Sequence, residues 1–136
     1  MDYHSIYESW RADPEKFWMD AAKNIDWNKK PTFALNNSNA PLYEWYTESF
    51  VNTCFNAVDR HVKNGRADQT AIIYDSPVTE KKLHLTYKDL LEKTSLLAGA
   101  LINKGITKGD RVIIYMPMVP EAIIAMLACC LLYTSP

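Results

Sequence analysis

The feature that most constrains the fold is the stretch at residues 109–132, in which residues 109–116 have the pattern of a buried strand and residues 120–132 are almost uniformly apolar. Within it, residues 112–115 form an unbroken apolar run, which is typical of a strand covered on both faces. Pro120 fits the first turn of a helix, and residues 122–132 are all apolar. A helix that is apolar all round is buried, and a membrane span needs about 20 such residues. The stretch therefore predicts a strand, a turn and a helix buried on several sides, which is the first half of a β-α-β crossover.

The first 65 residues are predicted to form an aromatic, helical arm. Asp13 is expected to cap a helix whose apolar stripe includes Phe17 and Trp18. Residues 28–41 have the proline, asparagine and serine content of a loop. A second helix is expected over residues 51–64, because apolar residues recur on one of its faces, and Gly65 is expected to end it. Its polar residues are expected on an exposed or lightly hydrogen-bonded face: Asn52, Asn56, Asp59, Arg60 and His61.

Residues 66–129 are predicted to begin an α/β domain. Two short β-type runs, at 70–74 and 83–87, predict a hairpin with a long loop. Thr86 and Asp89 have the spacing of a capping box for a third helix, which should end at Gly105. With the stretch described above, the order is hairpin, helix, strand and buried helix. The predicted fold class is α/β, with a mainly parallel sheet of which this region holds the beginning.

Composition excludes several function classes. The 136 residues include 15 basic and 16 acidic side chains, for a net charge of −1, so no basic surface for nucleic acid is expected. The opening residues resemble neither a signal peptide nor a transit peptide, which favours a cytoplasmic protein without a membrane partner. The three cysteines and three histidines lack disulfide or zinc-ligand spacing. The cysteines are expected to be core residues, and no metal site is predicted.

Several separated motifs point to one family. They are Asp13-Pro14-Glu15 with Phe17 and Trp18; Ile25-Asp26-Trp27; Ser38-Asn39 with Pro41; Asn52 with Cys54; residues 56–61; Thr86-Tyr87; and residues 109–118 followed by Pro120 and Glu121. In this order and spacing they resemble the N-terminal part of the AMP-forming acetyl- and propionyl-CoA synthetases, members of the adenylate-forming acyl-CoA synthetase superfamily.

The resemblance implies a ligase that activates a short carboxylate, acetate or propionate, with ATP and Mg²⁺. Such an enzyme forms an acyl-adenylate, releases pyrophosphate and transfers the acyl group to coenzyme A. Its partners are therefore small molecules. Residues 38–41 and 74–79 look closer to the propionyl-CoA synthetase branch.

The motifs that carry the family's chemistry are not found in this sequence. A phosphate-binding loop brings backbone N–H groups close to phosphates and is rich in glycine. The four glycines here, Gly65, Gly99, Gly105 and Gly109, are too far apart to form one. No catalytic, cofactor-binding or metal-binding residue is predicted, and the chain alone is expected to be inactive and to aggregate or be only partly ordered.

The resemblance also divides the chain. Residues 1–65 match the N-terminal helical arm of an acetyl-CoA synthetase, and residues 66–129 match the start of the AMP-binding domain, cut short. Residues 130–136 resemble translated sequencing adapter and are expected to be non-native.

Two other function classes fit the sequence less well than the synthetase. A self-standing binding or interaction module derived from this region would leave an unpaired sheet edge and a large apolar patch. A small flavodoxin-like protein needs a glycine- or hydroxyl-rich loop after a strand, and residues 116–121 offer neither.

Overall fold

A computed structural model describes residues 2–133 of the chain. They divide into two compact units, the first ending at Val51 and the second beginning at Asn52. The helical segment at residues 53–66 lies in the second unit. The division at residues 65 and 66 that the sequence suggested stays a prediction.

The first unit begins with two consecutive helices, α1 (Tyr3–Ala12) and α2 (Pro14–Ala22). The Asp13 carboxylate accepts a hydrogen bond from the backbone N–H of Lys16 at 2.9 Å. An aspartate in this position satisfies a backbone donor that the helix leaves free and interacts favourably with the helix dipole. The predicted cap and the helix that follows it are confirmed.

Beyond α2 the first unit is mostly irregular, as the composition of residues 28–41 predicts. It contains one two-residue ladder, in which β1 (Leu35–Asn36) pairs antiparallel with β2 (Glu44–Trp45). The Glu15 carboxylate accepts a hydrogen bond from the backbone N–H of Ala34 at 2.6 Å. Because Ala34 is buried, this bond ties the loop to the start of α2.

Aromatic side chains connect the parts of the first unit. The ring centroids of Trp18 and Trp45 lie 5.4 Å apart, and those of Trp27 and Tyr46 lie 5.3 Å apart, both edge to face. The Tyr46 hydroxyl also donates to the backbone carbonyl of Trp18 at 2.9 Å. Such ring pairs contribute about 0.5–1.5 kcal/mol each beyond burial, so they replace part of the core that this small unit lacks.

The second unit starts with a helical segment at residues 53–66 that contains two π-helical stretches, Phe55–Asp59 and Val62–Arg66. Gly65 has a φ of 79°, a left-handed conformation that glycine adopts without strain. The helical dihedral angles stop there, so the predicted helix and its glycine stop are confirmed.

The predicted hairpin is present, with β3 (Thr70–Ser76) paired antiparallel to β4 (Lys81–Thr86). Its loop is shorter than expected, because both strands extend further and only residues 77–80 connect them. Ile72 lies opposite Leu85 in the ladder, and the Leu85 side chain is buried.

Helix α3 (Tyr87–Asn103) follows β4 directly. The Thr86 hydroxyl accepts from the backbone N–H of Asp89 at 3.1 Å, and the Asp89 carboxylate accepts from the backbone N–H of Thr86 at 2.9 Å. This is the predicted capping box. At the other end, Gly105 has a φ of 86° and donates to Ile102 while Ile106 donates to Leu101, which is a Schellman motif.

Helix α4 (Pro120–Leu131) completes the second unit and confirms the predicted helix. Ile124 joins the buried core cluster. The other members of that cluster come from the 53–66 segment, β4 and α3: Cys54, Val58, Leu85 and Leu90. The expectation that α4 is buried on several sides is confirmed, because only Glu121, Ile123 and Met126 of this helix are exposed and its other residues are buried or half-buried.

The strand predicted at residues 109–116 does not form. Residues 110–116 have no regular secondary structure, and no strand of the described residues pairs with them. The Ile113 side chain is 92% exposed and Tyr115 is fully exposed. The prediction is wrong for this chain because a strand needs hydrogen-bonding neighbours, and residues 2–133 supply none here.

Candidate functional site

Asn52 is a buried polar side chain of the second unit that links two helix ends. Its amide nitrogen donates to the carbonyls of Cys130 at 3.4 Å and Leu131 at 3.2 Å, at the end of α4. Its amide oxygen accepts from the backbone N–H of Phe55 at 2.9 Å, in the first turn of the 53–66 segment. One side chain therefore satisfies free backbone groups at the start of one helix and the end of another.

The placement of Asn52 on an exposed face was wrong, because the residue is buried. The other four residues predicted on that face are half-buried: Asn56, Asp59, Arg60 and His61. An asparagine directly before a helix is a preferred N-cap, and this signal could have identified its role. Its bonds to α4 had no signal in the sequence, since they join residues 78 and 79 positions apart.

A second polar cluster surrounds Arg66 at the end of the 53–66 segment. Its guanidinium donates to the side-chain oxygen of Gln69 at 2.6 Å and lies 3.0 Å from Nδ1 of His61. It also lies over the Tyr87 ring, 5.3 Å from the centroid. All three partners are uncharged, provided that His61 is neutral.

Desolvation lowers the pKa of His61, and the positive charges of Arg66 and Arg60 lower it further. The imidazole is therefore neutral at pH 7, and its Nδ1 accepts from Arg66 in the tautomer that carries the proton on Nε2. Its ring centroid lies 4.7 Å from that of Tyr87. The cluster therefore positions the Arg66 guanidinium between Gln69, His61 and the Tyr87 ring.

The burial of the cysteines confirms the prediction that they are core residues. Cys54 is 1% exposed, and Cys129 is also buried. Burial raises the pKa of the Cys54 thiol to about 12, with smaller contributions from Asp59 and Cys130. A thiol with this pKa stays protonated at neutral pH, so Cys54 has the properties of a packing residue and not of a nucleophile.

The connection from α3 to α4 combines a fixed turn with an exposed apolar segment. The Asp110 carboxylate accepts from the backbone N–H of Thr107 at 2.7 Å and from its hydroxyl at 2.9 Å, and these bonds lower the pKa of Asp110. The backbone N–H of Gly109 donates to the carbonyl of Tyr133 at 3.1 Å. Residues 112–118 then expose Ile113, Tyr115 and Met118 almost completely.

Within residues 2–133, no three acidic, histidine or cysteine side chains are grouped closely enough to hold a metal ion. No helix of this region is long and apolar enough to cross a membrane. The polar groups described above hold helix ends and turns in place. Their role is therefore structural. The prediction that the chain holds no catalytic, cofactor-binding or metal-binding residue stays a prediction.

Comparison with known families decides the membership of the chain. The family model described as AMP-binding enzyme matches residues 58–132, which is more than half of the chain. The chain belongs to the AMP-binding enzyme family. A second model, described as the acetyl-coenzyme A synthetase N-terminus, matches residues 3–57. The two models match consecutive parts of the chain, which corresponds to the N-terminal region of the family, and the resemblance found in the sequence is confirmed.

Individual members of this family are similar over nearly the whole chain. The human acyl-CoA synthetase short-chain family member 3, mitochondrial, is 51% identical over 128 residues, which cover 94% of this chain and 19% of the relative. The acetyl-coenzyme A synthetase of Streptomyces coelicolor is 44% identical over 123 residues, which cover 90% of this chain and 19% of the relative. The chain thus spans about a fifth of the length of these curated relatives.

Several of the motifs that carry the family resemblance have structural roles in the described residues. Asp13 and Thr86 cap helices, and Asn52 links the 53–66 segment to α4. The family match extends to residue 132, and Cys130 and Leu131 pack against the core as part of α4. That residues 130–136 are non-native stays a prediction, and residues 134–136 lie outside the described part of the chain.

Proposed function

We propose that the complete protein to which this chain belongs is an AMP-forming short-chain acyl-CoA synthetase. It would convert a carboxylate, ATP and coenzyme A into an acyl-CoA, AMP and pyrophosphate through an acyl-adenylate. The observation that supports this most strongly is the 51% identity to an acyl-CoA synthetase over 128 residues in a chain of the AMP-binding enzyme family.

In this proposal, residues 1–136 have a scaffolding role. ATP, Mg²⁺ and coenzyme A act in the complete protein, and this chain by itself binds none of them. Support comes from the four separated glycines and from the structural roles of Asn52, Thr86 and Asp110. The partners of the complete protein are then small molecules, without nucleic acid or membrane.

Among carboxylates, we propose propionate ahead of acetate. Residues 38–41 and 74–79 have the character of the propionyl-CoA synthetase branch. The side chains that contact the carboxylate are not among these residues, so the preference rests on relatedness alone.

The test uses the complete reading frame amplified from source DNA. The purified product is assayed for carboxylate-dependent exchange of pyrophosphate into ATP and for acyl-CoA formation, with acetate and propionate as parallel substrates. We expect both activities, with a higher kcat/KM for propionate. The 136-residue chain is the control and should show neither. A complete protein that lacks both activities would favour a binding module, and sequencing past codon 129 checks the predicted tail.

We further propose that the complete protein is cytoplasmic, a compartment that supplies both ATP and coenzyme A. The name of the human relative includes mitochondrial, which describes that protein. Cell fractionation followed by detection of the native protein tests the location. Recovery in a membrane or organelle fraction would contradict it.

A further inference from the structure

A cavity in the first unit combines an apolar floor with a positively charged rim. It encloses about 340 Å³ beside α2 and the turn that follows. This volume lies in the range of clefts that hold small organic molecules, which is about 300–1,000 Å³. The residues that line it are Lys16, Met19, Asp20, Ala22, Lys23, Ile25, Trp27, Lys30 and Pro31.

The floor is built from the side of α2 and from the turn at residues 23–27. Ala22 is buried, and the indole nitrogen of Trp27 donates to the carbonyl of Ala22 at 2.8 Å. This bond fixes the indole ring against the end of the helix, so the apolar surface exists before any ligand arrives. A preformed surface lowers the entropic cost of binding. Met19, Ile25 and Pro31 extend it.

The rim carries three ammonium groups and one carboxylate. Asp20 pairs with Lys16 at 2.6 Å and with Lys23 at 2.5 Å. Hydrogen bonds from these two lysines lower the pKa of Asp20 to about 2, so its carboxylate is ionised at neutral pH. Lys30 forms no ion pair within residues 2–133. The rim therefore has two positive charges in excess, and Lys30 is the ammonium that remains available.

From this combination we propose that the cavity binds a small amphipathic monocarboxylate, with its apolar body on the Trp27 floor and its carboxylate at Lys30. The charge of the rim selects an anion, and the apolar floor selects a ligand with a ring or a short hydrocarbon body. Inorganic anions lack the apolar body, and neutral aromatics lack the charge. The site goes beyond the proposed synthetase function, which gives residues 1–136 a scaffolding role without ligand contacts.

The binding test uses the full 136-residue chain at low micromolar concentration and fluorine NMR of the ligand. The probe is para-trifluoromethylbenzoate, and its neutral counterpart is para-trifluoromethylbenzyl alcohol. We expect saturable broadening with the carboxylate and a Kd for the alcohol at least about 3-fold higher, since partly exposed charge pairs contribute modestly. The difference should disappear near 1 M salt, where the Debye length is about 3 Å. Equal affinity for both probes would mean an apolar groove without anion selection and would overturn the proposal.

Two matched pairs of variants locate the site. Lys30→Gln should weaken binding of the carboxylate about 3- to 5-fold, whereas Lys29→Gln, next in the chain but outside the cavity, should not change it. Ile25→Gln should weaken binding of both probes, whereas Ile6→Gln, similarly exposed on α1, should not. Circular dichroism checks that each variant keeps the helix content of the parent. Equal affinities within both pairs, or no saturable binding at all, would refute the site.

Discussion

The hairpin β3–β4 and the segment at residues 110–118 have similar β-type sequences but different structures. In the hairpin, Ile72 pairs with Leu85, and the Leu85 side chain is only 4% exposed. In the segment, Ile113 is 92% exposed, and residues 110–116 have no strand structure. Both regions are rich in β-branched and aromatic residues, so propensity does not explain the difference.

The two regions differ in whether a hydrogen-bonding partner strand is available nearby. Each hairpin strand finds its partner across the four-residue loop at 77–80 and packs against helices that follow closely. The sequence of residues 112–115 is typical of a strand covered on both faces, which needs neighbouring strands and a second helical layer. Residues 2–133 contain neither for this segment. A β-type sequence therefore becomes a strand only where its partner is available.

The largest expected effect comes from removing equivalent apolar side chains in the two regions. Leu85→Ala should lower the free energy of unfolding by about 2–5 kcal/mol, because it leaves a cavity beside Leu90 and Ile124. Ile113→Ala should change it by less than about 0.5 kcal/mol, because the side chain has no packing to lose. Urea denaturation followed by circular dichroism measures both. A comparable loss in both variants would mean that residues 110–118 are packed in solution.

A smaller loss of stability is expected when the link from Asn52 to α4 is removed. Asn52→Ala removes the bonds to Cys130, Leu131 and Phe55 and should cost about 1–3 kcal/mol, because buried backbone groups lose their partners. Asn103→Ala, at the exposed end of α3, is the matched control and should be near neutral. The same denaturation curves apply, and equal stability of both variants would show that the link is not formed.

The next largest loss of stability is expected from removing the cap that starts α3, directly after the hairpin. Thr86→Ala should destabilise the chain by about 1 kcal/mol, whereas Thr79→Ala, in the exposed hairpin loop, should not. An unchanged melting curve for Thr86→Ala would contradict a role for the cap in stability.

The same cap predicts a pH dependence. Hydrogen bonds from Thr86 lower the pKa of Asp89 in the folded chain. The stabilisation from Asp89 is therefore complete above the pKa of the unfolded chain, about 3.9, and is lost as the pH falls through the lower folded value. In Thr86→Ala the pKa of Asp89 should rise toward its usual value. NMR titration of the carboxyl carbon measures this, and an unshifted pKa would argue against the bond.

The smallest effect on folding is expected for charged substitutions in the exposed segment. Ile113→Lys and Tyr115→Lys should leave the free energy of unfolding unchanged, since both side chains already face solvent. They should reduce self-association, because exposed apolar segments promote aggregation. Light scattering at increasing concentration measures this, with Lys81→Arg as a control in the hairpin. Association equal to that of the parent would mean that another surface drives it.

The sequence predicted the helices of the second unit but not the contacts that fix their arrangement. Helix α4 was predicted with its N-terminus at Pro120, yet which of its faces is buried depended on β4 and α3. The role of Asn52 was missed because two of the three partners of its side chain, Cys130 and Leu131, lie far along the chain in α4. The rim of lysines around Asp20 was also missed, since a cavity depends on how the chain turns after α2.

The sequence alone determined the caps at Asp13 and Thr86, the glycine stops at Gly65 and Gly105, and, from motifs along the whole chain, the family. The caps and stops involve residues within about four positions of each other, so the local sequence is enough to predict them. The tertiary structure alone decided the link from Asn52 to α4 and the unpaired state of residues 110–116. Buried polar groups and strand edges must be satisfied by whichever groups the fold brings near, and that proximity is not encoded at any fixed spacing.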